Sequence, residues 1–450
     1  MGTSIERALG WVGHTFSHGV HPPSHKAATR TLGIRRLAFA PQLILPLAQH
    51  VGRAALPLVR PGQEVVRGEP VARADGGLSV PLHAPATGVV QDIVAMPTLR
   101  GGKTDAILLK VYPGDSQRVL YDAPRDVATL ERAPLLQAIQ DTGLVGLGGA
   151  GFPTYAKLSV PAGHAVDTLV VNGCECEPYL TTDHRVMLEW TDDVYAGIAI
   201  ALRALGATRA IIGVENDKPE ALAALRQRRP VHSPTRIEGV RTKYPQGSDK
   251  LLIKVLLGRE VPSGGHAYDV GVVVQNVATL ALLGRLLPRG QGLIERVVTV
   301  SGPGVVHAGN YLVPLGTPLR FLLDQVGLRA HAGEVIVGGP MMGMAAAALD
   351  VPITKGVSGV VVLDAAATRA QGRRVYACIH CGRCLQACPL HLNPSQFGLL
   401  AAKGAYDVMA AQYHLDDCFE CGCCSYICPS NIPLVQYVRV AKGALRERAP

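Results

Sequence analysis

A chain of 450 residues with a net charge of +9, 50 glycines and 32 prolines has room for about three domains, each with its own core, and is rich in strand and turn formers. Its basic residues are dispersed. Only the pairs Arg35-Arg36, Arg228-Arg229 and Arg373-Arg374 stand out, without the long basic block and interleaved aromatics of a nucleic-acid binder, so a negative surface or an acidic partner is the most that the charge favours.

The opening MGTSIERALGWVGHTF lacks the basic start and apolar core of a secretory signal. The best uncharged stretch, which begins at Leu37, is short and carries Pro41 and Pro46. No membrane span is expected. His14, His18, His21 and His25 invite a zinc reading, but Pro22 and Pro23 break any helical face and no cysteine lies nearby. Packing or interface contacts are the better expectation.

From about residue 50 to 95 a V-x-x-G-x-x-V cadence with turns at Pro61-Gly62 and Gly76-Gly77 reads as short strands. The stretch resembles the barrel-sandwich fold of biotinyl and lipoyl carrier domains. Those carry a modified lysine in a central hairpin. The corresponding Ala74–Leu78 (ADGGL) has none, which favours a structural or docking module over a carrier.

Between about 135 and 290 strands alternate with helices. VDTLVV (Val166–Val171) and AIIGV (Ala210–Val214) read as buried strands, while Val186–Leu205 and Pro219–Gln227 read as helices. That alternation is the signature of a parallel-sheet α/β domain, whose ligands sit where strands end and helices begin. At its front GLVGLGGAGFPTYAK, Gly143 to Lys157, is a glycine-rich turn with Pro153 placed for the first turn of a helix. Such a turn offers backbone N–H groups to a phosphate, although it matches neither common phosphate-loop pattern. From 291 to 365 the chain returns to strands around one helix, capped by Thr317 with Pro318 at its first position and ending at Gly327. This looks like a β-grasp module.

Nine of the eleven cysteines lie between Cys378 and Cys428. CIHCGRCLQACP places Cys378, Cys381, Cys384 and Cys388 before Pro389; CFECGCCSYICP places Cys418, Cys421, Cys424 and Cys428 before Pro429. This doubled C-x2-C-x2-C-x3-C-P spacing holds two 4Fe–4S clusters, the fourth cysteine of each run usually crossing to the other cluster. Disulfides would need an oxidising compartment, and zinc would use paired knuckles with four ligands in all. The crossing predicts Cys378, Cys381, Cys384 and Cys428 on one cluster and Cys418, Cys421, Cys424 and Cys388 on the other. Cys423 is read as a bystander, and Cys174 and Cys176 as small buried residues. The stretch between the two motifs and the closing NIPLVQYVRVAKGALRERA are helical in pattern, giving a mostly helical ferredoxin module.

GLGGAGFPTYAK looks like the flavin-phosphate loop of the NADH-oxidising, FMN-bearing subunit of respiratory complex I. VVNGCECEP (Val170–Pro178), YPQGSDK (Tyr244–Lys250) and VVQNVAT (Val273–Thr279) follow in that family's order. With a carrier-like module in front and two clusters behind, and with HGVHPPSHK and NGCECEPYLTTDHRVMLE in nearly the family's wording, the whole chain resembles the RnfC (RsxC) family, the C subunits of ion-translocating electron-transport complexes.

The resemblance implies a multidomain α/β plus β fold. It would run as a barrel-sandwich domain over 1–130, a Rossmann-like FMN/NADH-binding domain over 131–290, an SLBB-type β-grasp domain over 291–366 and a helical ferredoxin-like domain over 367–450. It implies non-covalent FMN cradled by Gly146, Gly148, Gly149, Ala150 and Lys157, with Phe152 stacking on a ring of the nucleotide. Asn172, Glu175 and Glu177 would line the isoalloxazine and nicotinamide side, the two glutamates as catalytic residues, and Asn276 and Thr279 would meet the flavin from the facing loop. Complex I relatives carry an acidic-serine-acidic run where this chain has Cys174-Glu175-Cys176-Glu177, which leaves the glutamates' separate roles open. The implied activity is that of a ferredoxin–NAD+ oxidoreductase component, taking NAD(H) as substrate and coupled to Na+ or H+ movement. The chain would sit on the cytoplasmic face of the inner membrane as a peripheral subunit, held by membrane subunits and an iron–sulfur partner. An RnfC-like cobalamin reductase and a non-catalytic iron–sulfur relay or scaffold are the rival readings.

Overall fold

The computed structural model describes residues 14–99, 101–114, 117–366, 368 and 374–448. The stretch 1–13, which holds most of the opening tested for a signal, and Arg373 lie outside the described residues.

Alternating apolar positions build the first module. Strands Gln42–Pro46, Lys103–Val111, Gly88–Pro97 and Glu64–Val65 form one sheet, and Leu56–Pro57, Pro70–Arg73 and Leu82–His83 form a second. Leu43, Leu45, Val71, Val90, Ile107 and Leu109 fill the space between them. The lysine-free hairpin docks on the next domain, its Gly77 carbonyl accepting from Tyr155 Oη at 2.7 Å.

The α/β domain holds four parallel strands in the order Thr235–Val240, Arg209–Glu215, Thr168–Gly173, Val272–Asn276. The chain moves outward from the third of these strands and then returns to its other side, so a topological switch point lies between Thr168–Gly173 and Val272–Asn276. The helical stretch expected over 186–205 is two helices, Thr182–Glu189 and Thr191–Leu205. They part at Trp190, whose φ of −119° leaves the helical range, and Thr191 Oγ1 donates back to the Met187 carbonyl at 2.7 Å. Thr191–Leu205 packs on Val277–Leu286 through two glycines. A Cβ on Gly197 would lie 1.8 Å from the Leu280 oxygen, and one on Gly284 would lie 2.1 Å from that of Asp193.

The third module is a six-stranded sheet in the order Ile34–Arg36, Gly309–Pro314, Glu295–Ser301, Gly359–Asp364, Ala332–Val337, Met344–Ala345. Its edge strand Ile34–Arg36 comes from the N-terminal segment and pairs in parallel with Gly309–Pro314. The helix Leu319–Val326 covers one face. It starts one residue later than expected: Pro318 takes the cap, and Thr317 Oγ1 donates to the Pro314 carbonyl instead. The last module is helical, with Pro394–Ala401, Tyr406–Tyr413 and Leu434–Arg448 closing on Phe397, Met409 and Val438. Among the described residues no helix is long and apolar enough to cross a membrane.

Candidate functional site

Asn172, one residue before the end of its strand, and Asn276, the last residue of its own, flank the switch point as register partners. Each organises a neighbouring segment. Asn276 Oδ1 accepts from the Ala278 and Thr279 N–H groups at 3.0 and 3.1 Å, capping the next helix, while its Nδ2 donates to Asp183 Oδ2 at 2.6 Å. Asn172 Nδ2 donates to the Gly247 carbonyl at 2.8 Å, tying down the YPQG segment.

The glycine-rich loop lies over Asn276: a Cβ on Gly148 would be 3.3 Å from that of Asn276. Thr279 is fully buried beneath it, its Oγ1 accepting from the Leu147 N–H at 2.9 Å. The Gly146 N–H is used within the loop, donating to the Phe152 carbonyl at 2.8 Å. The next exposed N–H groups, those of Gly148, Gly149 and Ala150, have no partner among the described residues. Three consecutive free donors suit a phosphate. The following helix, Thr154–Leu158, is a single short turn capped by Pro153, so the loop's amides carry the fit. Phe152 is half-buried at the loop's end. Lys157 is bound to Asp249, its Nζ 2.9 Å from Oδ2.

The two glutamates separate. Glu175 is buried and its carboxylate accepts from the Asp183 and His184 N–H groups at 2.8 and 3.3 Å, while the buried Lys26 ammonium donates to its main-chain carbonyl. Glu177 reaches the β-grasp module and accepts from the Met341 and Met342 N–H groups at 3.1 and 2.8 Å. Burial pushes Glu177 up to about 7 against the pull of those two amides. Burial also raises Asp183, helped by the nearby Glu175 charge and opposed by Asn276.

Both acids therefore keep protons in the folded chain that the unfolded chain has released. Their contribution opposes folding increasingly as pH rises from the ordinary carboxyl range toward 7. Stability is expected to fall across that window, and Glu177→Gln should flatten the slope; denaturant midpoints measured at several pH values check it.

Cys388 from the first motif and Cys418, Cys421, Cys423 and Cys424 from the second line one small cavity, with Leu392, Phe397, Val435 and Val438 as apolar walls. Cys384 lies within electrostatic reach of Cys378 and Cys428, and Cys381 is exposed. Thiols drawn from both motifs suit the corners of a cubane. Among the described residues no three His, Cys, Asp or Glu side chains converge as a single-ion site.

Cys423 is fully buried beside Val20, Tyr244 and Ala387, with Cys176 and Met341 packed on the same cluster of side chains. Tyr244 Oη donates to the Cys421 carbonyl at 2.7 Å. The YPQG segment therefore touches Asn172 at one end and the cysteine cavity at the other. Cys174 is buried, and burial holds both its thiol and that of Cys176 protonated, Cys176 up to about 12.

The N-terminal histidines pack against separate elements. His14 Nδ1 is 3.2 Å from the Gly239 carbonyl, His18 Nδ1 is 3.0 Å from that of Cys388, and His25 stacks on Tyr179 at 4.7 Å between centroids. Sequence reasoning missed Lys26, Asp183 and the Met341-Met342 amides. The first two stand in the segments HPPSHK and TTDHR that carry the resemblance. The third belongs to GGPMMG, a glycine-rich turn with no charge to mark it.

Family patterns match all four modules: the RnfC barrel sandwich hybrid domain at 14–112, the Nuo51 FMN-binding domain at 139–285, the SLBB domain at 297–345 and the 4Fe–4S dicluster domain at 377–432. The C subunit of the proton-translocating ferredoxin:NAD(+) oxidoreductase complex of Clostridium ljungdahlii is 40% identical, over 96% of this chain and 94% of that protein. The C subunit of the ion-translocating oxidoreductase complex of Erwinia tasmaniensis is also 40% identical, but this chain spans only 53% of its length. The corresponding protein of Yersinia pestis is 39% identical, over 96% and 69% of the two chains. A crystal structure of an NAD+-reducing [NiFe]-hydrogenase in the air-oxidized state shares the fold, with a TM-score of 0.50 at 21% identity over 75% of this chain and 68% of that one. The match to the Clostridium ljungdahlii subunit runs over nearly the full length of both chains and all four modules match family patterns, so the chain belongs to the RnfC family, the C subunits of ion-translocating oxidoreductase complexes.

Proposed function

We propose that this chain exchanges electrons between NAD(H) and an iron–sulfur partner within a membrane complex, on the cytoplasmic face, where electron flow to or from ferredoxin is coupled to Na+ or H+ movement by the membrane subunits. The single observation that carries this reading is the continuity between the two sites: the YPQG segment is hydrogen-bonded to Asn172 at the switch point and to the Cys421 loop at the cysteine cavity. When bound, FMN supplies the exchange between a hydride and single electrons, and the 4Fe–4S clusters supply one-electron conduction.

The chain's residues position these groups. The amides of Gly148, Gly149 and Ala150 would hold the flavin phosphate, with Gly146 closing the loop, Lys157 at its rim and Phe152 beside the nucleotide. Asn172 and Asn276 would flank the ring system, Asn276 held by Asp183 and Thr279 supporting the loop from below. Glu175 would fix the wall next to the flavin through the helix it caps. Glu177 would hold the β-grasp module against the cluster domain. Cys378, Cys381, Cys384 and Cys428 would bind one cluster, and Cys388, Cys418, Cys421 and Cys424 the other. Packing among Cys176, Tyr244 and Cys423 would keep water out of the ground between flavin and cluster.

Anaerobic reconstitution with iron, sulfide and FMN, followed by addition of NADH, tests the reading. Retained flavin and bleaching of both flavin and cluster absorbance are expected. A reconstituted chain that keeps its clusters but neither holds flavin nor responds to NADH would be a relay or scaffold. Reduction of cobalamin by the isolated chain would point to the other rival.

A further inference from the structure

Two cations stand behind the glycine-rich loop, both contributed by the β-grasp module. Arg296, in the strand Glu295–Ser301, is 1% exposed, and its guanidinium donates to the carbonyls of Leu147 at 3.3 Å, Val297 at 3.2 Å and Lys355. Lys355 is fully buried, and its ammonium donates to the carbonyls of Gly143 at 2.6 Å and Pro81 at 2.9 Å. Their carbonyl partners in the loop are thus its first residue and its middle, and a Cβ on the neighbouring Gly356 would come within 4.0 Å of the Gly149 oxygen. Neither cation makes an ion pair among the described residues; the more distant Asp183 alone offsets the burial of Arg296.

A buried charge without a counter-ion is strongly unfavourable and calls for an anion nearby. The peptide geometry says on which side. In a planar trans peptide the C=O and the following N–H point in opposite directions. Anchoring the Leu147 oxygen on Arg296 therefore turns the Gly148 N–H away from the guanidinium, toward the open face where Gly149 and Ala150 also have free donors. Arg296 thus polarises that amide from behind, in an interior where charge is poorly screened. Lys157, the only cation of the loop's own segment, is already neutralised by Asp249. Burial pulls Lys355 down to about 7 and Arg296 to about 10.

We propose that Arg296 and Lys355 supply the main counter-charge for the phosphate of the bound flavin nucleotide, so that the β-grasp module, and more than Lys157, sets the preference for a phosphorylated flavin. This rests on the reading of Gly148–Ala150 as the flavin-phosphate loop. It makes the β-grasp module part of the cofactor site and not only a spacer between flavin and clusters.

The test titrates the flavin-free full chain with FMN and with riboflavin, by flavin fluorescence, and compares the ratio of the two dissociation constants. Lys355→Met and Arg296→Met are each expected to lower the wild-type preference for FMN by about tenfold or more, with riboflavin affinity nearly unchanged. Lys157→Met should lower it by only about twofold. Lys355→Met keeps the side-chain volume, so it carries the test if Arg296→Met fails to fold, which circular dichroism would show. Arg296→Lys, which keeps the charge, should recover part of the preference. Variants that retain the wild-type ratio overturn the proposal while leaving the loop's identity intact. A folded wild-type chain that binds neither flavin, or binds both equally, overturns the proposal together with the reading of the loop.

Discussion

Cys388→Ala is expected to cost the reconstituted chain about half its iron, because the alanine leaves three of the four ligands of one cubane. The geometry behind this is the cavity that brings Cys388, from the first motif, together with Cys418, Cys421 and Cys424 from the second. Pairs of substitutions separate crossed from uncrossed ligation. If the motifs cross, Cys388→Ala combined with Cys418→Ala removes the same cluster twice and leaves about half the iron. Cys388→Ala combined with Cys378→Ala then removes both clusters. Uncrossed motifs would give the opposite pattern, so iron analysis with electron paramagnetic resonance settles it in either direction.

Gly149→Val is expected to abolish flavin retention while the chain still folds and still takes up iron. Gly149 sits at φ +115°, a conformation that a β-branched residue reaches only with strain. Nothing lies within 4 Å of where its Cβ would be, so the obstacle is the backbone and not a clash. Relieving it means rotating the peptides that aim the Gly148 and Ala150 N–H groups outward. The local strain is about 1–3 kcal/mol, small beside the whole domain but enough to spoil a cradle made only of backbone. Loss of flavin with a native fold and an unfolding midpoint lowered by only a few degrees is the expected result; full flavin retention would show that the phosphate sits elsewhere.

Patterned residues make much of this legible in the sequence. The doubled cysteine spacing, the glycine run and the alternation of Val166–Val171 with helical segments each carry a period or a spacing that the backbone must obey. The two asparagines emerge as well, because each closes an apolar strand run.

What stays hidden depends on contacts between segments far apart in the chain. Arg296 and Lys355 sit in ordinary strand and turn text, and only the folded chain brings them against Leu147 and Gly143. Asp183 lies ahead of the helix expected from Val186, and only the fold places Asn276 2.6 Å from it. The resemblance sets Glu177 with Glu175 on the isoalloxazine and nicotinamide side, and only the fold shows that the Glu177 carboxylate accepts from the Met341 and Met342 amides. Lys157 reads as a phosphate ligand, and Asp249, which engages it, stands in another motif. Residue type and order mark out the modules; which charges end unpaired is a property of the assembled domains.

The most direct test of the route from nucleotide to clusters is an anaerobic comparison of NADH with dithionite as reductant, followed by electron paramagnetic resonance of the clusters, in the wild-type chain and in Gly149→Val. Both reductants are expected to reduce the wild-type clusters, and dithionite alone those of the variant, since the clusters remain and the flavin entry is gone. Cluster reduction by NADH in a flavin-free Gly149→Val chain would contradict that route.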